Sequence, residues 1–116
     1  FSLGGCSGLF FFPEKTHYFT PKQANINFDD IYLETEDGET IHGWHLKPNR
    51  QSKGIVYFLH GNAENISTHT GSVIWLLEEG YEIFALDYRG FGKSTGSPDL
   101  QGALIDIKKG YEWVIS

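Results

Sequence analysis

The 116-residue sequence has one cysteine, no methionine and four prolines. A lone cysteine excludes an internal disulfide framework. No apolar run reaches the roughly 18 residues that would suggest a membrane-spanning helix. Basic residues are in the minority, nine Lys and Arg against fifteen Asp and Glu, for a formal net charge of −6. That balance argues against a nucleic-acid partner, which needs a basic footprint, and against a polybasic membrane contact. Repeats and low-complexity tracts are absent. What is present is a globular composition, 40% hydrophobic, 16% aromatic and 21% charged. It excludes a collagenous, coiled-coil or disordered chain. A chain of this length can bury about two-thirds of its unfolded surface, enough for one modest core.

Residue 1 is Phe, and the final Glu112-Trp113-Val114-Ile115-Ser116 stops inside an apolar pattern with no cap after it. Both ends read as cuts, so the chain is expected to be a processed or partial product. Near the start, Leu3-Gly4-Gly5-Cys6 resembles a bacterial lipobox, with small residues preceding a cysteine that becomes lipidated. On that reading the protein is tethered to a membrane and faces outside the cytoplasm, each buried methylene contributing about 0.8 kcal/mol. The alternative is an ordinary small thiol in a Gly-rich start, and then a cytoplasmic protein. The run Leu9-Phe10-Phe11-Phe12-Pro13 is too short to span a bilayer and is expected to dock on the domain.

Residues 1–27 therefore form a lipobox-like start and a polar lead-in, and 28–116 the N-terminal portion of one domain. Phe28 to Glu34 predicts a strand. Asp37-Gly38 predicts a two-residue type I′ hairpin turn, which needs positive φ at both central positions. The strand from Thr40 to Leu46 has an ambiguous facing, since Ile41 argues for one side and Trp44 and Leu46 for the other. Gly54 to His60 is continuously apolar and β-rich, as a strand covered on both faces should be, and Tyr81 to Asp87 reads as a second covered strand. Between them, residues 65–79 have helical spacing, with Ile66, Val73, Leu76 and Leu77 on one side and Gly80 as the stop. A last helix is predicted with Ser97 as N-cap and Pro98 at its first position. Its apolar stripe is Leu100, Ala103, Leu104, Ile107, Tyr111 and Val114. The order β-hairpin, β, α, β, α predicts an α/β fold, with parallel strands joined by a right-handed crossover and the hairpin as an antiparallel edge.

In open parallel sheets, ligands bind at the carboxyl ends of the strands. The first such end is His60-Gly61-Asn62-Ala63-Glu64-Asn65. A tight turn into a helix there would present backbone N–H groups to negative charge, and in acyl transfer such donors hold an oxyanion, each worth roughly 3–4 kcal/mol. A plain turn capped by Asn is the alternative. The second end is Asp87-Tyr88-Arg89-Gly90-Phe91-Gly92-Lys93-Ser94-Thr95-Gly96. Gly92-Lys93-Ser94-Thr95-Gly96 matches the G-x-S-x-G of a nucleophile elbow but lacks the strand directly before it and the helix directly after it. As a phosphate loop it fails too, because Asp87 occupies the first glycine position. The stronger reading is a tight loop permitted by glycines, tied down by Asp87 and Arg89, with Ser94 or Ser97 satisfying local backbone groups. His17, His42, His45 and His69 show no metal-ligand spacing, and no cofactor is implied.

Together these residues resemble the alpha/beta-hydrolase superfamily. The signature is an apolar strand ending in His60-Gly61-Asn62-Ala63, a helix, then a strand ending in Asp87-Tyr88-Arg89-Gly90-Phe91-Gly92-x-Ser94-x-Gly96-x-Pro98. The subgroup it looks most like is the serine hydrolases related to prolyl oligopeptidase and to small lipases and thioesterases. The resemblance implies an N-terminal fragment of a serine hydrolase acting on a small-molecule ester, thioester or amide through an acyl-enzyme. It implies that Asn62, with Ala63 beside it, supplies an oxyanion donor, and that His60, Gly61, Asp87, Arg89, Gly90 and Gly92 shape the site. It places the nucleophile, the base and the acid beyond residue 116. Glu64 departs from the family, where close relatives often carry Gly. A non-catalytic lipoprotein module on the same scaffold, or a nucleotide-binding domain using the Gly-rich loop, are the rival expectations.

Overall fold

The computed structural model describes residues 12–13, 21–60, 63–64, 66 and 73–116. Strand β1 is Phe12–Pro13, β2 Asn27–Glu34, β3 Thr40–Lys47, β4 Ile55–Leu59, β5 Ala63–Glu64 and β6 Glu82–Asp87; helix α1 is Leu100–Ile115. Short 3-10 turns occupy Pro21–Ala24 and Ile74–Leu77.

The main sheet has the order β2-β3-β6-β4. β2 and β3 form the expected antiparallel hairpin, in register from Asn27↔Lys47 to Glu34↔Thr40. β3 pairs antiparallel with β6, and β6 pairs parallel with β4, with Leu59 opposite Leu86. The mixed α/β sheet read from the sequence is thus present, with the hairpin as its antiparallel part.

Its interior follows from the pleat. β6 is one of the two inner strands, and its Ile83, Phe84, Ala85 and Leu86 are all fully buried. Phe84 and Leu86 join a cluster with Ile41, Tyr88, Phe91 and Ala103 on one face. Ile83 and Ala85 join Trp44, Leu46 and Ile66 on the other. Each large side chain so buried contributes roughly 1.5–3 kcal/mol. The ambiguity in β3 is resolved the same way: Ile41 lies in the first cluster and Trp44 and Leu46 in the second, because both faces of that strand are covered. Ile66, Val73, Leu76 and Leu77, predicted to share one side, all pack into the second cluster. Gly80, at φ +95°, ends the segment as expected; of the helix predicted over 65–79, residues 73–79 instead form a 3-10 turn at Ile74–Leu77 flanked by turn residues, and 65 and 67–72 lie outside the described residues.

Three local expectations need correction. The hairpin reverses over Glu36-Asp37-Gly38, closed by Thr35 N–H donating to the Glu39 carbonyl (2.8 Å), and only Gly38 has positive φ (+92°). Asp37 is not in the type I′ conformation because its carboxylate is drawn to Thr35 and Arg89. The last helix is capped by Asp99 rather than Ser97; the Asp99 carboxylate accepts from Gly102 N–H at 2.7 Å. Pro98 stays outside the helix, seated where a side chain on Gly90 would have to go. Finally, α1 docks through Gly102, Ala103, Asp106 and Gly110, while Leu100, Leu104 and Tyr111 of the expected stripe face outward. Glycine lets the helix approach closely: a Cβ on Gly110 would collide with Tyr57 Oη.

Of the Phe-rich run at 9–13, residues 9–11 lie outside the described residues, and Phe12–Pro13 form a two-stranded sheet with β5. β1 pairs parallel with β5, Phe12 opposite Ala63 and Pro13 opposite Glu64. Among the described residues no helix is long and apolar enough to cross a membrane.

Candidate active site

Because β4 and β6 are neighbours in parallel, their carboxyl ends meet. His60 follows β4, Asp87 closes β6, and both side chains are completely buried. His60 Nε2 lies 3.0 Å from Asp87 Oδ1. The same carboxylate oxygen accepts the backbone N–H of Ile66 at 2.9 Å. The His60 carbonyl accepts from Tyr88 Oη at 2.7 Å, and the His60 ring leans on Tyr88 and Phe91. Burial pushes the Tyr88 hydroxyl up to about 12, so it remains a donor. The segment that starts at His60 is therefore held at its root by Tyr88 and at Ile66 by Asp87. In between, Ala63 and Glu64 carry the pairing to β1.

Asp87 is fixed from behind. Its carbonyl accepts from Ser94 Oγ at 2.8 Å, and the Ser94 hydroxyl oxygen in turn accepts from His42 N–H at 2.8 Å. Ser94 is thus a buried bridge between β6 and β3 and not an elbow nucleophile. The Gly-rich loop folds on itself: Gly90 N–H donates to the Thr95 carbonyl, Phe91 N–H to Tyr88 and Ser94 N–H to Phe91. Those three amides are directed inward, which leaves them no part in a phosphate cradle. Gly90 and Gly92 take φ of +86° and +51°, which the tight loop requires.

Arg89 anchors this loop to two distant elements. Its backbone N–H and guanidinium both donate to Asp106 of α1 (2.7 and 2.9 Å), and the guanidinium also grips Asp37 of the hairpin loop (2.6 and 3.0 Å). The Arg89 and Thr35 hydrogen bonds hold the Asp37 carboxyl well below the usual carboxylate range. Burial pushes the Asp106 carboxyl up, opposed by the bonds from Arg89.

Of the residues singled out from the sequence, His60 and Asp87 are brought together, Arg89, Gly90 and Gly92 form the adjoining loop, and Ala63 lies in β5. Gly61, Asn62 and Cys6 lie outside the described residues. The partners Asp37, Asp106 and Ile66 were not anticipated. Asp106 had a readable signal, since it is a carboxylate between Ala103 and Ile107 on an otherwise apolar helix face. Among the described residues no three His, Cys, Asp or Glu side chains gather into a set able to hold a metal ion.

A family model described as Hydrolase_4, serine aminopeptidase S33, matches residues 50–111. The chain is 35% identical to protein YfhR of Salmonella typhi over 111 residues, covering 90% of this chain and 36% of that protein. It is 33% identical to the alpha/beta hydrolase domain-containing protein WAV2 of Arabidopsis thaliana, over 81% of this chain and 31% of that one. Among solved structures it is similar to the Pyrococcus furiosus esterase Pf2001, with a TM-score of 0.74 and 29% identity, over 90% of this chain and 41% of the esterase. The chain thus spans about a third of the length of the curated relatives it matches, 36% and 31% in these two.

Proposed function

Since this chain belongs to the Hydrolase_4 family of alpha/beta-hydrolases, we propose that it is the N-terminal part of a serine hydrolase that cleaves a small-molecule ester, thioester or amide through an acyl-enzyme. The observation that carries this reading is the strand-end segment after β4, held beside the carboxyl end of the parallel strand β6 by Asp87 and Tyr88. Binding sites of open parallel sheets form there.

In the proposed reaction a serine supplied by sequence beyond residue 116 attacks the substrate carbonyl. A histidine takes its proton, and an acid orients that histidine. The carbonyl oxygen becomes an oxyanion, which the backbone N–H groups of Asn62 and Ala63 receive. Losing one such donor lowers turnover about 10²–10³-fold. On this reading the 116 residues alone are expected to be inactive, because it assigns the nucleophile, base and acid to sequence beyond residue 116. Cys6 carries a lipid that holds the enzyme on the outer side of a bacterial cytoplasmic membrane.

A fluorophosphonate probe, which marks activated serines, tests the reading on the complete protein that contains these residues. Labelling at a G-x-S-x-G serine on the strand following α1, together with hydrolysis of a p-nitrophenyl acyl ester, is the expected result. Absence of both from folded protein would favour a non-catalytic module on this scaffold. Metabolic fatty-acid incorporation that disappears in Cys6→Ala is expected for the anchor, and no incorporation into the wild type refutes it.

A further inference from the structure

We propose that a groove at the amino end of β6 is a second binding site, suited to a neutral saccharide, with Trp75 as the platform on which a sugar ring lies. It lies outside the serine-hydrolase reading above and does not depend on it.

The groove has a volume of about 870 Å³, within the usual range for small-molecule sites. Among the described residues three segments line it: Ala24 to Asn27 ahead of β2, Lys47 to Arg50 after β3, and the turn around Trp75. Their placement follows from the sheet. β3 runs against β6 with Leu46 opposite Ile83, so Lys47 comes beside the start of β6, and Asn27 pairs with Lys47. The length of β6, roughly 16 Å, therefore separates the groove from Asp87. Both walls are held by main-chain bonds. Asn25 N–H donates to the Lys22 carbonyl and Ile26 N–H to the Pro21 carbonyl (3.2 and 3.0 Å). Across the groove, Leu76 and Leu77 pack into the second apolar cluster, while Trp75 remains 58% exposed. Glu78 N–H donates to the Trp75 carbonyl at 3.1 Å, which fixes the backbone that carries the indole.

The lining selects the ligand by its chemistry. Lys47 is already paired with Asp29 at 2.6 Å. That leaves Arg50 against two carboxylates, Glu78 and Glu79, so an anion finds no surplus of positive charge. A wholly apolar ligand would strip water from the exposed amides of Asn25, Asn27 and Asn49 and return no hydrogen bond. A polyol returns them. Each amide offers donors and an acceptor, each carboxylate accepts, and the guanidinium donates. None of these side chains has a hydrogen bond or ion pair to the protein among the described residues. Arg50 is seated by its stem, since Gly80 leaves room for a Cδ only 3.2 Å from where a side chain there would begin. Trp75 adds the remaining feature. Its ring face carries the negative side of the aromatic quadrupole, which attracts the weakly positive C–H face of a pyranose. A pyranose is polar at its edges and apolar on its faces, and this groove pairs polar rims with one flat ring.

The test titrates the complete protein that contains these residues with cellotriose, maltotriose and N,N′,N″-triacetylchitotriose by isothermal calorimetry, with inorganic phosphate as the charged control. Saturable binding of at least one trisaccharide, with Kd of about 1 mM or tighter, is expected. The same sugar should shift the Trp75 indole N–H signal in NMR spectra, identified by its absence from Trp75→Phe. Trp75→Ala should weaken the affinity about tenfold and Trp75→Phe by less. Asn49→Ala should weaken it about threefold. These side chains are exposed, and near-UV circular dichroism checks that each variant is folded. If Trp75→Ala does not fold, the Trp75 signal and the Asn49→Ala affinity decide. No saturable binding of any of the three sugars, tighter binding of phosphate than of sugar, or unchanged affinity in the folded variants overturns the proposal. Hydrolysis of the p-nitrophenyl ester by Trp75→Ala should match wild type. A wild-type protein that the serine probe fails to label would overturn the hydrolase reading and leave the sugar titration standing.

Discussion

Arg89 meets Asp106 twice, through its own peptide N–H at 2.7 Å and through its guanidinium at 2.9 Å, with the Asp106 side chain wholly buried. The loop after β6 and the last helix are joined by this pair. Removing one partner of a buried pair leaves the other charge stranded, which costs about 3–5 kcal/mol. Asp106→Ala is therefore expected to lower the free energy of unfolding by that amount in urea titrations, and Asp106→Asn by less. A loss under about 1 kcal/mol would place the pair among weak surface contacts.

Acid should act on the other side of the same arginine. The Asp37 carboxyl titrates lower in the folded chain than its ordinary value, because of Arg89 first and Thr35 second. The unfolded state then takes up its proton at higher pH. The stability that Asp37 provides is complete above the ordinary aspartate value of about 3.9 and is lost as pH falls through the lower folded value. Asp106, shifted upward by burial, has the opposite sign, and its contribution weakens as pH rises through the interval above its ordinary value. Urea midpoints measured below about pH 4 should fall less steeply in Asp37→Asn than in wild type. Equal slopes would remove Asp37 from the acid response.

Gly110 and Tyr57 set how closely α1 lies on β4. Tyr57 Oη donates to the Ile107 carbonyl at 2.8 Å, and its ring stacks on Phe84. Alanine is intrinsically the better helix former by about 1 kcal/mol. Even so, Gly110→Ala should destabilise by about 1–3 kcal/mol, because the added carbon must displace a packed ring. In a double-mutant cycle, Tyr57→Phe should relieve part of that penalty, with a coupling of at least about 0.5 kcal/mol. Simple additivity of the two changes would show that the helix shifts freely.

Ser94→Ala separates a bridge from a nucleophile. The change deprives the Asp87 carbonyl and the His42 N–H of the same hydroxyl. A buried polar group so deprived costs about 1–3 kcal/mol. Thermal unfolding should fall accordingly, while serine-probe labelling of the complete protein at a temperature where the variant is folded should persist. Loss of labelling from folded Ser94→Ala would return Ser94 to the list of catalytic groups.

The sheet was legible because burial on two faces leaves an unmistakable trace, the unbroken apolar runs at 55–59 and 83–86. His60 and Asp87 were legible by position, as the residues at adjacent strand ends. The helix face was not, because periodicity weighs Leu104 and Tyr111 heavily and gives Gly102 and Gly110 no weight, although glycine is what allowed close approach. The hairpin turn was misread for a different reason. The conformation of Asp37 is set by Arg89, 52 residues away, and short-range turn rules do not see that distance. The Ile66–Asp87 bond was invisible because its donor is a main-chain amide, which every residue but proline possesses.

Among the described residues β4 lies at the rim of the main sheet, paired with β6 on one flank. Its outer flank is a ready template of donors and acceptors beside an aliphatic and aromatic row, Ile55 to Leu59. Nearby, Leu104, Tyr111 and Ile115 turn outward from α1. Produced in isolation, such a surface recruits whatever extended polypeptide comes first, including another molecule of its own kind. Yield of dispersed material should therefore depend on dilution.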